Sequence, residues 1–285
     1  MVYNEKADSV LTYKKAPGYQ PGVCTLNTHS IVYLENRNGN SDAKSFQSDT
    51  LLRTFTLLDQ HGIKHIDNFR ADAASYQFEV IRLVEHYVTH FYIGTRMDYV
   101  GNYFSQIDNW QQTTDIKGEK IWVGDTTYTP FDKNYNAQNG PPKVYRLVVK
   151  KKTGKDGQIN LFTGQAFDYH AIITNEFCKT AKETIAFYNK RGAMEKQFDI
   201  LKNDFGWKHM PFSSRAKNNV FLILMAICRN IYHRLIQRFS TKFKGIEPTL
   251  RIKRFIFKII ILPAKWIYRS RQQFLKIYGH IDFKT

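Results

Sequence analysis

The chain has 285 residues, enough for one large domain or two small ones. Its 42% hydrophobic and 15% aromatic content supports a sizeable core. The 42 Lys and Arg residues outnumber the 25 Asp and Glu residues, and the net charge of +17 indicates a polyanionic partner, either nucleic acid or an anionic membrane surface. No apolar run reaches the roughly 18 residues of a membrane span, and no signal-peptide pattern opens the chain. The three cysteines lack paired spacing, which indicates a reducing, cytoplasmic setting and excludes a disulfide framework.

Strand and helix patterns alternate in the N-terminal half, which is typical of an α/β sheet. Residues 23–26 and 31–34 predict two short strands. The elements predicted after them are a helix capped by Ser48 or Asp49 and ending near Gly62, a strand at 63–70, a helix capped by Ser75, and a strand at 90–95.

Residues 98–175 differ in composition and are rich in Gly, Thr, Asn and Tyr. Strand patterns at 120–123, 144–150 and 171–174 predict a β-rich insertion. The chain then turns helical, with one helix to about Asp204, a second over about 217–239 and a basic helical segment at the end. Residues 241–285 hold eleven Lys and Arg against two acids, so this segment carries a net +9 of the +17.

One stripe of polar side chains stands out on the first of these helices. Tyr188, Arg191, Glu195 and Lys202 follow the spacing Y-x2-R-x3-E-x6-K and fall within roughly a 60° sector of a helix. A carboxylate flanked by two cations and a phenol suits a metal-binding acid beside phosphate anchors. The alternative is a solvated face, in which Lys202 pairs with Asp199 and Arg191 with Glu195 for about 0.3–0.5 kcal/mol each. An adjacent apolar seam predicts that the helix is pinned to a core, through Met194, Phe198, Leu201 and Phe205.

The segment 188–207, YNKRGAMEKQFDILKNDFGW, resembles the signature helix of bacterial insertion-sequence DDE transposases, and more narrowly the branch defined by the Y-(2)-R-(3)-E-(6)-K spacing. The likeness runs from Glu5-Lys6-Ala7-Asp8 through Phe69-Arg70-Ala71-Asp72 to the basic tail. It implies an α/β fold with an RNase H-like core, a β-rich insertion and a helical basic C-terminal part. The implied parts are the first portion of the core with an incomplete first strand (1–97), the insertion (98–175), the signature helix and core completion (176–240), and the basic helical segment (241–285).

The resemblance also implies a catalytic site. Asp72 matches the second acidic position of the DDE set and Glu195 the third. Taken alone, an Asp before a helix is also a common cap, so Asp72 has a purely structural alternative. As members of the set, both carboxylates would bind two divalent ions, expected to be Mg²⁺, which activate a water or a DNA 3′-hydroxyl and stabilise the leaving oxygen.

Duplex DNA, as transposon ends and target, is the partner that the resemblance implies. A basic amphipathic helix lying on a membrane is the alternative for the tail, and it is set aside in favour of a cytoplasmic, nucleoid-associated protein. Whether the protein forms a homodimer is left open. The residues expected to contact DNA are Tyr188, Arg191 and Lys202 near the scissile bond, and Arg251, Lys253 and Arg254 in the tail.

The start of this chain differs from the family pattern. A DDE enzyme needs a first Asp on its first strand, and the resemblance places that residue a few positions upstream of Glu5, before Met1. Met1-Val2-Tyr3 resembles the tail of that strand, and Asp8, the nearest acid, matches a position beyond it. The expected protein is therefore an N-terminally truncated transposase for metal-dependent DNA cleavage and strand transfer. The alternative is an inactive DNA-binding or dimerising remnant, so enzymatic activity of these 285 residues is left open.

Overall fold

The computed structural model describes residues 2–3, 6, 8–12, 15–27, 29–115, 118–138, 140–154 and 167–278. The chain divides into two compact units. The terminal unit comprises Met1–Ser41 and Met194–Thr285, and the sheet unit comprises Asp42–Ala193.

The described strands and α-helices are numbered separately in chain order. The strands are β1 (Val2–Tyr3), β2 (Val10–Leu11), β3 (Pro17–Tyr19), β4 (Gly22–Leu26), β5 (Ser30–Glu35), β6 (Ile66–Ala71), β7 (Val88–Gly94), β8 (Gln111–Thr114), β9 (Lys120–Tyr128), β10 (Tyr145–Thr153), β11 (Phe167–Thr174), β12 (Ala264–Arg269) and β13 (Gln272–Ile277). The helices are α1 (Gln47–Gln60), α2 (Phe78–Tyr87), α3 (Met97–Val100), α4 (Asp132–Ala137), α5 (Ala181–Asn189), α6 (Ala193–Asp204), α7 (Arg215–Lys242) and α8 (Ile252–Phe255).

A six-stranded mixed sheet organises the sheet unit, in the order β6-β7-β11-β10-β9-β8. Strands β6 and β7 are parallel, and the remaining neighbours are antiparallel. The strands predicted within 98–175 therefore extend the same sheet. The central strands carry continuous apolar runs, which are typical of strands covered on both faces. Consecutive residues, which point to opposite faces, are both fully buried at Tyr92 and Ile93 in β7 and at Val148 and Val149 in β10. This mixed α/β architecture agrees with an RNase H-like core.

Two predicted helix caps are wrong. Helix α1 begins at Gln47 after Phe46, whose backbone is left-handed (φ 59°), so neither Ser48 nor Asp49 precedes it. Ser75 lies buried inside a 3₁₀ turn instead of capping α2. The reason is that the Asp72 side chain caps this 3₁₀ turn, so α2 begins only after it, at Phe78.

The core of the terminal unit forms between α6, α7 and the hairpin of β4 and β5. Leu201, Trp207, Leu222 and Ile236 are each about 1% exposed or less. Asn230 on α7 fastens the hairpin, because its amide accepts from the Ile31 backbone N–H (3.0 Å) and donates to the Ile31 carbonyl (2.8 Å). The predicted strands at 23–26 and 31–34 and the predicted helix at 217–239 are thus confirmed.

The predicted single helix up to Asp204 is broken. Helix α5 ends at Asn189, a 3₁₀ turn covers Lys190–Gly192, and α6 follows. A glycine in a helix interior loses more backbone entropy than other residues, and the tighter turn falls where Gly192 stands. Because of this break, the four polar residues do not share one continuous α-helix.

The basic C-terminal segment is helical only in its first part. Helix α8 continues as a π-helical turn over Ile256–Ile260, and β12 and β13 then form an antiparallel hairpin. The prediction of a helical end is therefore wrong for residues 264–277. Pro263 cannot continue a helix, and the aromatic and β-branched residues after it favour strands.

Candidate active site

Asp72 lies at the carboxyl edge of the parallel strand pair in the sheet unit. Ala71 of β6 pairs with Ile93 of β7, so Asp72 and Gly94 both follow at the same edge. Asp72 is exposed, and one of its oxygens accepts from the Ala74 backbone N–H at 3.1 Å. The cap expected on local grounds is therefore present, and it uses one carboxylate oxygen. Ligands of open α/β sheets commonly bind at such an edge.

Tyr188 reaches the same edge from the end of α5. A Cβ atom placed on Gly94 would lie only 2.6 Å from the Tyr188 hydroxyl oxygen, so this contact requires glycine. Burial raises the pKa of Tyr188; the Arg191 charge opposes that rise, while the Asp72 charge adds to it. The phenol thus stays protonated at neutral pH and is available as a hydrogen-bond donor beside Asp72.

Arg70 fixes the approach of α5 to this edge. Its guanidinium donates to the Phe187 carbonyl at 2.9 Å and stacks 4.8 Å from the centre of the Phe187 ring. Tyr92 also packs against Phe187, with its ring centre 4.7 Å from that of Phe187. Arg70 and Phe187, which lie just before Asp72 and Tyr188 in the sequence, are therefore in direct contact.

Arg191 follows on the 3₁₀ turn after α5. Its guanidinium carbon lies 5.8 Å from the centre of the Tyr188 ring, and the residue is half-buried. Within the described part of the sheet unit it has no ion pair with a carboxylate. The planar guanidinium of Arg191 can therefore donate hydrogen bonds to two oxygens of an anion such as a phosphate.

Glu195 and Lys202 lie on α6 of the terminal unit. Lys202 follows Glu195 by seven positions, or about two helical turns, so the two residues share one face about 10 Å apart along the helix axis. Glu195 is exposed in the first turn, where a negative charge is favourable, and Lys202 is half-buried in the last turn. The alternative pair of Lys202 with Asp199 does not form, because Asp199 accepts from Arg251 at 2.9 Å and from Asn203 at 2.6 Å.

The predicted apolar seam is confirmed on the neighbouring face of α6. Leu201 and Phe205 are buried, while Met194 and Phe198 are half-buried. Gly206 ends the helix with φ +75°, which lets the Trp207 N–H bond back to the Leu201 carbonyl at 3.1 Å. Packing therefore fixes the face of α6 that carries Glu195.

The tail residues expected to contact DNA differ in their surroundings. Arg251 donates to the Asp204 carboxylate at 2.6 Å and to Asp199 at 2.9 Å, so it fastens the start of α8 to α6. These hydrogen bonds raise the pKa of Arg251, Asp204 first. Lys253 and Arg254 are exposed.

The carboxylates predicted to bind metal differ in their surroundings from Asp8. Asp72 and Glu195 are exposed carboxylates, and oxygen donors of this kind suit Mg²⁺. Among the described residues, no group of three or more His, Cys, Asp or Glu side chains comes together as a ready metal site. Asp8 is occupied otherwise: it accepts from the Tyr19 hydroxyl and from the Arg215 N–H at the start of α7, and these two hydrogen bonds, Tyr19 first, lower its pKa. Asp72 in the sheet unit and Glu195 in the terminal unit are therefore each donors of the type that a divalent ion takes.

Comparison with known protein families decides the identity of the chain. Residues 1–282 match the family described as Transposase DDE domain group 1. The chain belongs to the DDE transposases. No curated protein matches this transposase. The family assignment confirms the resemblance drawn from residues 188–207, while the narrower Y-R-E-K branch stays a prediction.

One described helix of the transposase, α7, is long and apolar enough to cross a membrane by length and composition. A single such helix is weak evidence, because core helices of soluble proteins share these properties. Helix α7 also carries Arg229, which is 4% exposed and donates to the Gln197 amide of α6. A buried guanidinium bound to a neighbouring helix is typical of packing within a protein core.

Three residues that position the site were assigned no role from the sequence. Arg70, Gly94 and Phe187 place the Tyr188 hydroxyl beside the Asp72 edge. Only Gly94 left a signal, as a glycine at the end of a predicted strand, where close backbone approach is common. The contact between Arg70 and Phe187 joins residues far apart in sequence and has no local signature.

Proposed function

We propose that this transposase cleaves DNA at the ends of its own insertion sequence and joins those ends to target DNA, with divalent metal ions as cofactors. The observation that carries the proposal is the exposed Asp72 carboxylate at the sheet edge, beside the Tyr188 phenol. DNA in the cytoplasm would be its substrate, both as transposon end and as target.

In this proposal Asp72 and Glu195 are the carboxylate ligands. Bound Mg²⁺ ions would activate the attacking water or 3′-hydroxyl and stabilise the leaving oxygen. Tyr188 donates a hydrogen bond to a phosphate oxygen, and Arg191 holds a neighbouring phosphate through its planar fork. Lys202, about two helical turns from Glu195, supplies a third contact to the DNA backbone.

The test is strand cleavage of a duplex that carries both ends of the element encoding this chain. It is run in Mg²⁺ with residues 1–285 and with a chain extended through the upstream codons. We expect Asp72→Asn and Glu195→Gln each to lower cleavage by more than about a hundredfold, because a mispositioned nucleophile loses at least that much. Duplex binding in EDTA should stay within about threefold of the unsubstituted chain, because the DNA contacts do not depend on these carboxylates.

Two matched substitutions control for the loss of a surface carboxylate. Asp67 is exposed on the same strand β6, and Glu79 is exposed in the first turn of α2. Asp67→Asn and Glu79→Gln should leave cleavage unchanged. DNA binding without metal-dependent cleavage in either chain would instead identify the protein as a binding remnant, and equal cleavage by Glu195→Gln would exclude the assigned role of Glu195.

A further inference from the structure

The C-terminal hairpin, formed by β12 and β13, is exposed on both faces. Every residue of the two strands is exposed except the half-buried Ile267. Isolated two-stranded hairpins are marginally stable in water and normally need a third strand or a helix to cover one face. In the described part of the chain, no other strand pairs with this hairpin.

The two faces of the hairpin differ in chemistry. Strand register places Lys265 directly opposite Lys276 and Arg269 opposite Gln272, with Ile267 and Phe274 between them. The other face is apolar and aromatic, and includes Trp266, Tyr268, Leu275 and Ile277. The first of these faces therefore carries the cations, with Lys265 and Arg269 on β12 and Lys276 on β13.

Directly opposed like charges destabilise a strand pair. Lys265 and Lys276 form such a pair, and the Lys276 ammonium, 5.1 Å from the centre of the Tyr278 ring, has no carboxylate partner among the described residues. The chain has no Asp or Glu from 248 to 278, against eight Lys and Arg. An anion between the two ammonium groups would convert their repulsion into attraction.

The turn of the hairpin adds a second irregular feature. Ser270 (φ 52°) and Arg271 (φ 62°) both have left-handed backbone conformations, as a type I′ turn requires. Asn-Gly is the usual pair at these positions, because other residues adopt this conformation at a steric cost. The strained turn places the Arg271 side chain at the tip of the ribbon, beyond the strand cations.

We infer that the C-terminal hairpin binds duplex DNA as a two-stranded ribbon, with its cationic face directed into the major groove and Arg271 reaching a flanking phosphate. A two-stranded ribbon fits the roughly 12 Å width of that groove, and the cations on both strands match phosphates on its two walls. The inference rests on DNA as the proposed substrate and is independent of the metal chemistry. It moves the main DNA contact of the tail from Arg251, which is ion-paired, to residues 264–277.

The test compares two variants of the full chain that lose four charges each. The hairpin variant is K265Q/R269Q/R271Q/K276Q, and the control variant is K64Q/K133Q/K182Q/K208Q, whose lysines are all exposed. Binding to a random-sequence duplex is measured in EDTA between about 50 and about 300 mM salt. The hairpin variant should lose about 10- to 100-fold in affinity near 0.1 M salt and reduce the slope of log affinity against log salt by roughly two to four, and the control should lose less than about threefold.

Three results would overturn the inference. One is an equal loss in both variants, since it would mean that net charge alone matters. Another is wild-type DNA affinity in the hairpin variant. The third is a loss of binding that affects only phosphatidylglycerol vesicles, measured beside the duplex, which would identify a lipid surface as the partner. Because metal is absent, a failure here leaves the cleavage test unaffected, and a failure of cleavage leaves this test intact.

A second variant separates the tip contact from the fold of the hairpin. Ser270→Asn with Arg271→Gly supplies the preferred turn pair and removes only the tip charge, so the salt slope should fall by about one.

Groove placement is read from dimethyl sulfate attack at guanine N7, which lies in the major groove. Protection by the unsubstituted chain that disappears with the four-charge hairpin variant supports the ribbon, and protection unchanged by that variant contradicts it.

Discussion

Arg251 and the C-terminal hairpin belong to the same basic segment, but their charges have different surroundings. Arg251 is bound by two carboxylates of α6, one of which, Asp204, has a side chain only 3% exposed. The hairpin cations face solvent and have no carboxylate in ion-pair contact within the described part of the chain. The count of basic residues therefore does not locate a DNA-binding surface. The positions of the acids decide which cations remain available to an external anion.

Glu176 should give the largest stability effect among the internally paired charges. Burial alone raises its pKa, but hydrogen bonds from Lys179 and the Cys178 N–H, together with nearby His90, lower it to about 2 from 4.5. A carboxyl with a depressed folded pKa stabilises the fold above its unfolded value, and this contribution is lost as pH falls from about 4.5 to about 2. We expect a loss of about 3 kcal/mol in the free energy of unfolding over that window.

Urea unfolding of the unsubstituted chain and of Glu176→Gln at several pH values checks this expectation. The substituted chain should be less stable at neutral pH and should show a flatter profile between pH 4.5 and about 2. Two superimposable pH profiles would mean that Glu176 has no role in the acid sensitivity. Substitution of hairpin cations should leave the profile unchanged, since those groups have no carboxylate partner among the described residues.

Arg251 should give the next largest effect, and on stability instead of DNA binding. Arg251→Met leaves the nearly buried Asp204 carboxylate without its cation, which we expect to cost about 2 kcal/mol in the free energy of unfolding. The measurement pairs chemical denaturation with the salt dependence of DNA affinity. If the substitution leaves stability unchanged but reduces the salt slope, Arg251 belongs to the DNA-binding surface after all. Substitution of the exposed Lys253 is the matched control.

The smallest effect concerns the close contact at the sheet edge. Gly94→Ala introduces a Cβ 2.6 Å from the Tyr188 hydroxyl, which must move. Because that atom is the end of a side chain, we expect a stability loss of only about 1 kcal/mol but a decrease in cleavage of about tenfold, since small displacements of positioning groups lower rates steeply. Gly101→Ala, where the added Cβ meets open space, is the matched control and should change neither quantity.

Local patterns predicted most of the sheet and helix α7 correctly, because their apolar periodicity is strong. They failed where tertiary contacts or uncommon turns decide the structure. The 3₁₀ turn at Lys190–Gly192 interrupts a pattern that otherwise favours one helix. The C-terminal hairpin lacks the Asn-Gly turn signal, so its alternating basic and aromatic residues resembled an amphipathic helix.

The candidate site was predictable only in part for the same reason. Asp72 could be placed at a strand end from the order of predicted elements, and the contact between Tyr188 and Gly94 could not, because it depends on how α5 meets β7. Which tail cations remain exposed also depends on distant acids such as Asp204.

The central claim is that Asp72 and Glu195 hold the divalent ions of this transposase. Anomalous scattering from crystals of the chain grown with Mn²⁺ and a duplex transposon end tests it most directly. We expect metal peaks bound by both carboxylates, with about 4 Å between two ions. Metal bound at Asp72 with the Glu195 carboxylate far from every ion would contradict it.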